Sequence, residues 1–232
     1  MIAAKRVIGA GNEGGLPDGV RAMTAQVRAL IFDMDGTLYE SDALDRQYAD
    51  AVVAYTAEQR GLPPEKALEL FRAKRAALRA RLGRTPTTTG TMVELGFDLE
   101  HWIAWRDARV RPEGALRRDD MLRSLLQDLK KHFVLVVVTN NSVEMVRRTL
   151  GAIGIDDLFD RVFTLQDVGL IKPDPGIYRR VAEALGIPPE QCMSIGDRPQ
   201  VDLEPAAAVG MQTFLVAGPG DIGRLREALG RV

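Results

Sequence analysis

The sequence predicts an α/β fold, a parallel sheet with helices on both faces, interrupted by an inserted helical domain. Two observations carry this. Through the second half of the chain, short apolar runs alternate with helical stretches, and strand–helix alternation gives a parallel sheet buried on both sides. The first apolar run, residues 29–32, is followed by no further core strand until residues 133–138, and the chain between them reads as helix. A length of 232 residues with 46% hydrophobic residues suits one core plus a small second domain.

The first 26 residues differ from the rest. Gly9, Gly11 and Gly14 match a GxGxxG pattern, but Gly15, Pro17 and Gly19 follow where that fingerprint must open a helix, so it is set aside. Residues 1–26 read as a flexible leader without a secretory signal, and Met23 is a sensible start for the folded unit. Ala29 to Phe32 reads as a buried strand ended by the turn residue Gly36. The inserted stretch then offers a helix over 45–59 with Tyr48, Val52 and Tyr55 on its apolar face. A second helix spans 65–82 behind Pro64, and a third, capped by Asp98, carries Trp102, Ile103 and Trp105. In the second helix, Leu68, Phe71, Leu78 and Leu82 form one stripe, with Arg75 on it and Lys74 and Arg81 off it. Arg75 either packs its stem and reaches water or points its guanidinium at an anionic or polar substrate group. Helices near 118–130, 143–150, 175–185 and 222–229 and strands near 133–138, 162–165, before Asp197 and 213–216 complete the core.

Composition excludes several classes. A net charge of −1 gives no field for a nucleic acid polymer. No apolar run approaches the roughly 20 residues a membrane span needs. The single cysteine, Cys192, rules out an internal disulfide and a cysteine-based zinc cluster, and reads as a buried strand thiol in a cytoplasmic protein. There is no Gly-x-Ser-x-Gly elbow, and His101 and His132 lack metal-ligand spacing.

Asp33 and Asp35 sit at the carboxyl end of the first strand, where open α/β sheets place their ligands. Two carboxylates that close need a cation or a shared proton, and magnesium held by carboxylates and substrate phosphate answers that need. Asp33-Met34-Asp35-Gly36-Thr37 resembles motif I of the haloacid dehalogenase superfamily. Val134 to Asn140 is similar to its second motif, Lys172-Pro173 to its third, and Ser194-Ile195-Gly196-Asp197 with Asp202 to its fourth. Asp35 and Thr139 lie 104 positions apart, and Thr139 and Lys172 only 33. The insertion therefore follows the first motif, the place of the helical cap called C1 in that superfamily.

The resemblance implies a Rossmann-like core over 27–41 and 113–232 with a C1 cap over 42–112. It implies a magnesium-dependent phosphatase in which Asp33 is the nucleophile and Asp35 the acid and base. Asp33, the Asp35 main chain and Asp197 would hold magnesium, and Asp202 would orient that shell. Thr139 and Asn140 would bind phosphate, and Lys172 would neutralise it and Asp33. A carboxylate at Asp35 favours a phosphatase or phosphomutase over a dehalogenase. A sugar phosphomutase and a non-enzymatic phosphate-binding regulator stay as alternatives. The substrate would be a small phosphorylated metabolite, and the chain a monomer or homodimer. Thr87 to Met92 and Thr139-Asn140-Asn141 are also similar to the pyrimidine 5′-nucleotidase-like branch.

Overall fold

The structure is a computed structural model that describes residues 27–230; the expected leader lies outside the described residues. Five strands, β1 (Ala29–Phe32), β2 (Val134–Val138), β3 (Arg161–Phe163), β4 (Cys192–Gly196) and β5 (Gln212–Leu215), form one sheet in the order β3-β2-β1-β4-β5. All neighbouring pairs are parallel. The α/β expectation therefore holds. Strand order reverses between β1 and β4, because the chain moves outward from β1 in one direction to β3 and in the other to β5. Such a switch point opens a crevice beyond the strand ends.

The chain forms two compact units. The sheet unit comprises the described residues 27–40, 118–141 and 153–230. Every residue of β1 is buried, as its continuous apolar run requires of a central parallel strand. Ala29, Ile31, Val136 and Val138 pack with Ile177, Tyr178 and Val181 in its core. The helices α6 (Asp120–Lys130), α8 (Leu165–Val168), α9 (Gly176–Leu185), α10 (Glu204–Ala208) and α11 (Ile222–Leu229) belong to this unit.

The helical unit holds residues 41–117 and 142–152. It contains α1 (Asp42–Arg60), α2 (Pro64–Leu82), α3 (Thr88–Glu94), α4 (Leu99–Asp107), α5 (Pro112–Ala115) and most of α7 (Val143–Ile153). Helix α7 is tied here by Arg148, which donates to Glu113 and to the Asp107 and Val110 carbonyls. Ser41 caps α1 by accepting from the Leu44 N–H, and Asp98 caps α4 by accepting from His101 at 2.7 Å.

One local expectation is corrected, and one helix was not expected. The buried seam of α2 runs through Ala67, Phe71 and Leu78, while Leu82 is 42% exposed and Lys74 is as half-buried as Arg75. Phe71 and Leu78 keep the expected stripe, Ala67 is buried where Leu68 is only half-buried, and the last turn leaves the seam. Helix α3 escapes the sequence reading because threonine and glycine favour helix weakly. Capping compensates: the Gly90 N–H donates to the Thr87 hydroxyl at 3.0 Å, and the Thr91 hydroxyl donates to the Thr87 carbonyl at 2.9 Å.

Candidate active site at the strand ends

The site lies in the sheet unit, at the carboxyl ends of β1, β2 and β4. Asp33 follows β1, and its N–H donates to the Ile195 carbonyl at 2.8 Å, which sets it beside the end of β4. Two glycines permit the close packing. Gly36 adopts φ +78, and a Cβ there would come within 2.7 Å of Asp197 Oδ2. A Cβ on Gly196 would come within 2.4 Å of the Asp202 Cβ.

Lys172 is the hub. Its ammonium is buried and bonds Asp33 Oδ1 and, at 2.8 Å, Asp202 Oδ1. Burial alone would lower its pKa, but the charges of Asp202 and Asp33 outweigh that and raise it, so Lys172 stays protonated. Asp202 lies on a π-helical turn, Pro199–Leu203. Its main-chain carbonyl accepts from the Tyr178 and Ser194 hydroxyls at 2.8 and 2.9 Å, and its Oδ2 accepts from the Arg198 N–H at 3.2 Å. Both carboxylate oxygens of Asp202 are thus engaged.

Asp35 has a different setting. Tyr39 donates its hydroxyl to Oδ1, and Asn141 Nδ2 donates to Oδ2 at 2.8 Å. Burial, and then the Asp33 charge, hold its carboxyl above the usual range despite the lowering effect of the Tyr39 bond. Asp197 is pushed up to about 6, first by burial and then by Asp33.

Thr139 is buried at the end of β2, and its oxygen accepts from the Asn141 N–H at 3.1 Å. Its own hydroxyl hydrogen is therefore left to donate elsewhere. The Asn140 side chain is committed: Oδ1 accepts from the Lys172 N–H at 2.7 Å, and Nδ2 donates to the Lys172 carbonyl at 3.2 Å. Its amide faces the lysine backbone rather than open space. Arg75 stands apart, on α2 of the helical unit, half-buried and without an ion pair among the described residues.

Sequence reasoning passed over Arg198, Tyr39 and Asn141. The Arg198 guanidinium lies 3.7 Å from Asp33 Oδ2, 3.6 Å from Asp197 Oδ1 and 3.7 Å from Asp202 Oδ2, beyond hydrogen-bond length. Its position directly after Gly196-Asp197 was the available signal. Cys192 is buried in β4, as its sequence context predicts, and burial pushes its thiol up to about 11.

The residues fit a divalent cation. Asp33, Asp197 and Asp202 each offer a ligand oxygen within 4.8 Å of the others. Asp33 Oδ2 and Asp197 Oδ1 are buried without a hydrogen-bond partner among the described residues. An all-oxygen set of carboxylates selects a hard ion such as magnesium.

The sequence matches the haloacid dehalogenase-like hydrolase family over residues 27–210. A glyceraldehyde 3-phosphate phosphatase from Methanopyrus kandleri is 26% identical over 201 residues, covering 82% of this chain and 84% of its own. A phosphoglycolate phosphatase from Shigella boydii is 29% identical over 199 residues, covering 79% of each chain. A magnesium-bound HAD-hydrolase from Bacillus subtilis shares the fold, with a TM-score of 0.56 at 19% identity, covering 88% of this chain and 99% of its own. With the family matched across the whole described site, this chain belongs to the haloacid dehalogenase-like hydrolases.

Proposed function

We propose that this hydrolase is a magnesium-dependent phosphatase of small phosphate monoesters that works through an aspartyl-phosphate on Asp33. One observation carries the reading: two carboxyls, two residues apart, are held for different tasks. Asp33 is bonded to a permanent cation, Lys172. Asp35 is held by neutral donors, with its carboxyl raised towards carrying a proton.

In the first half, an Asp33 oxygen attacks phosphorus and the ester P–O bond breaks. The Asp35 proton passes to the departing alkoxide. In the second half, Asp35, now ionised, takes a proton from water, whose oxygen attacks phosphorus and frees the Asp33 carboxylate. Thr139 donates its hydroxyl to a phosphate oxygen, and Lys172 offsets the charge on phosphate and Asp33. Asp33, the Asp35 main-chain carbonyl and Asp197, with Asp202 orienting them, would hold magnesium, which would supply charge neutralisation for phosphate. Asn140 serves phosphate binding by fixing the Lys172 backbone.

Residues 42–112 form the cap in this reading, and Arg75 takes the substrate's polar or anionic part. The two relatives above are a glyceraldehyde 3-phosphate phosphatase and a phosphoglycolate phosphatase, which supports a small metabolite as substrate; nucleoside monophosphates and sugar phosphates belong in the same trial. A cytoplasmic setting belongs to this reading, with the single cysteine as its support. Among the described residues no helix is long and apolar enough to cross a membrane. The test is a panel of phosphate esters with purified protein, with magnesium and with excess chelator. Phosphate release from at least one ester that needs magnesium is expected. Release from none, or release indifferent to chelator, would refute it. A mutase would instead return an isomeric phosphate ester.

A further inference from the structure

Thr139, Asn140 and Asn141 follow one another at the end of β2, and each fixes a different part of the site. Thr139 presents its hydroxyl, Asn140 clamps the Lys172 backbone, and Asn141 reaches Asp35. We infer that Asn141 is a positioning residue for the acid and base: it holds the Asp35 carboxyl in the orientation from which its proton reaches the leaving-group oxygen. This rests on the assignment of Asp35 above.

A carboxyl rotates broadly about its last side-chain bond, so one donor does not fix its plane. Tyr39, the donor to Oδ1, belongs to the same turn as Asp35, four residues on, and moves with it. Asn141 is 106 residues away in sequence, and its donation to Oδ2 at 2.8 Å is what ties Asp35 to the end of β2. Asn141 is itself buried, and its N–H is anchored on the Thr139 hydroxyl oxygen at 3.1 Å. The acid is thereby indexed to the residue that binds the phosphate being cleaved. The amide gains and loses no proton; only Asp35 and the leaving oxygen exchange one. Orientation within a bonding geometry is what general acid catalysis needs.

The test separates alkyl from aryl esters. An alkoxide must be protonated as it leaves, whereas p-nitrophenolate leaves unaided, and kcat/KM reports only the steps up to that departure. The full chain with magnesium is assayed on glycerol phosphate and p-nitrophenyl phosphate as wild type, Asn141→Ala, Asn141→Ser and Asp35→Asn, each checked for folding by its melting temperature. The Asn141 variants should lose about tenfold more on glycerol phosphate than on p-nitrophenyl phosphate. Asp35→Asn should show the same bias more strongly, and adding Asn141→Ala to it should not deepen it. Equal losses on both esters in the folded Asn141 variants, beside a biased Asp35→Asn, would overturn the inference alone. An unbiased Asp35→Asn would overturn the acid assignment and the inference with it.

Discussion

The two units differ in what their buried centres hold, although the helical unit too holds a largely buried ion pair, Arg106 with Asp107 at 2.7 Å. In the sheet unit, charge is set against charge: Lys172, Asp33 and Asp202 are all at most 3% exposed, and Lys172 pairs with both carboxylates. In the helical unit, the buried centre is aromatic. The Tyr55 ring meets Phe97, Trp102 and Trp105 edge-on at centroid distances of 5.2, 5.1 and 5.4 Å, and Arg109 lies 3.7 Å over Trp105. Buried ion pairs repay little stability because desolvation offsets their attraction, whereas packed rings stabilise directly. The first arrangement is kept for chemistry and the second for the fold.

Substitutions should divide along that line. The largest effect is expected for Asp33→Asn, nearly isosteric, which should cut kcat/KM by at least about four orders of magnitude while the protein stays folded. Substantial residual turnover in a contaminant-free sample would break the contrast. Trp102→Ala removes a side chain only 1% exposed and should cost about 3–5 kcal/mol of stability by denaturant melting. A loss under about 1 kcal/mol would mean that the aromatic cluster does not hold its unit together.

Smaller effects sharpen the comparison. Arg75→Met keeps packing volume on α2 and, if Arg75 meets substrate, should raise KM several-fold with kcat less affected; unchanged kinetics on the best ester would return Arg75 to the surface. The smallest effect concerns Glu113, which Arg148 holds at about 2 by a charged hydrogen bond, below the ordinary 4.5. A carboxylate lowered on folding stabilises above its unfolded value and loses that contribution as pH falls through the folded one. Glu113→Gln should therefore lower the melting temperature slightly at neutral pH, and the gap should close between pH 4.5 and 2. The carboxylate is half exposed, so the effect should stay under about 1 kcal/mol. A gap that persists at pH 2 would show that packing, not the ion pair, ties α7 to α5.

The same contrast explains what the sequence revealed. Asp33 and Asp197 were legible because parallel strands announce themselves as apolar runs and their ends converge at the switch point, whereas Lys172 and Asp202, which lie in the turns beyond, were legible only through the resemblance to the third and fourth motifs. The sheet itself was legible from the same apolar runs. Partnerships that close only in three dimensions were not: Asn141 with Asp35, and Tyr178 and Ser194 with the Asp202 carbonyl, leave no periodic trace. The resemblance set Asn140 beside Thr139 at the phosphate, and only the fold brings the Lys172 backbone within reach of its side chain. In the helical unit, α3 and the two ends of the α2 seam were missed because capping by Thr87 and the local packing override propensity and spacing.

The central claim is a covalent bond between phosphorus and Asp33. Protein mixed with a radiolabelled phosphate ester and magnesium, then quenched in acid during turnover, should retain label. Hydroxylamine should release it, and it should map to the peptide containing Asp33 and vanish in Asp33→Asn. A wild-type enzyme that turns over the ester at a measurable rate yet never carries label on that peptide, under conditions slowing the second half-reaction, would contradict the account.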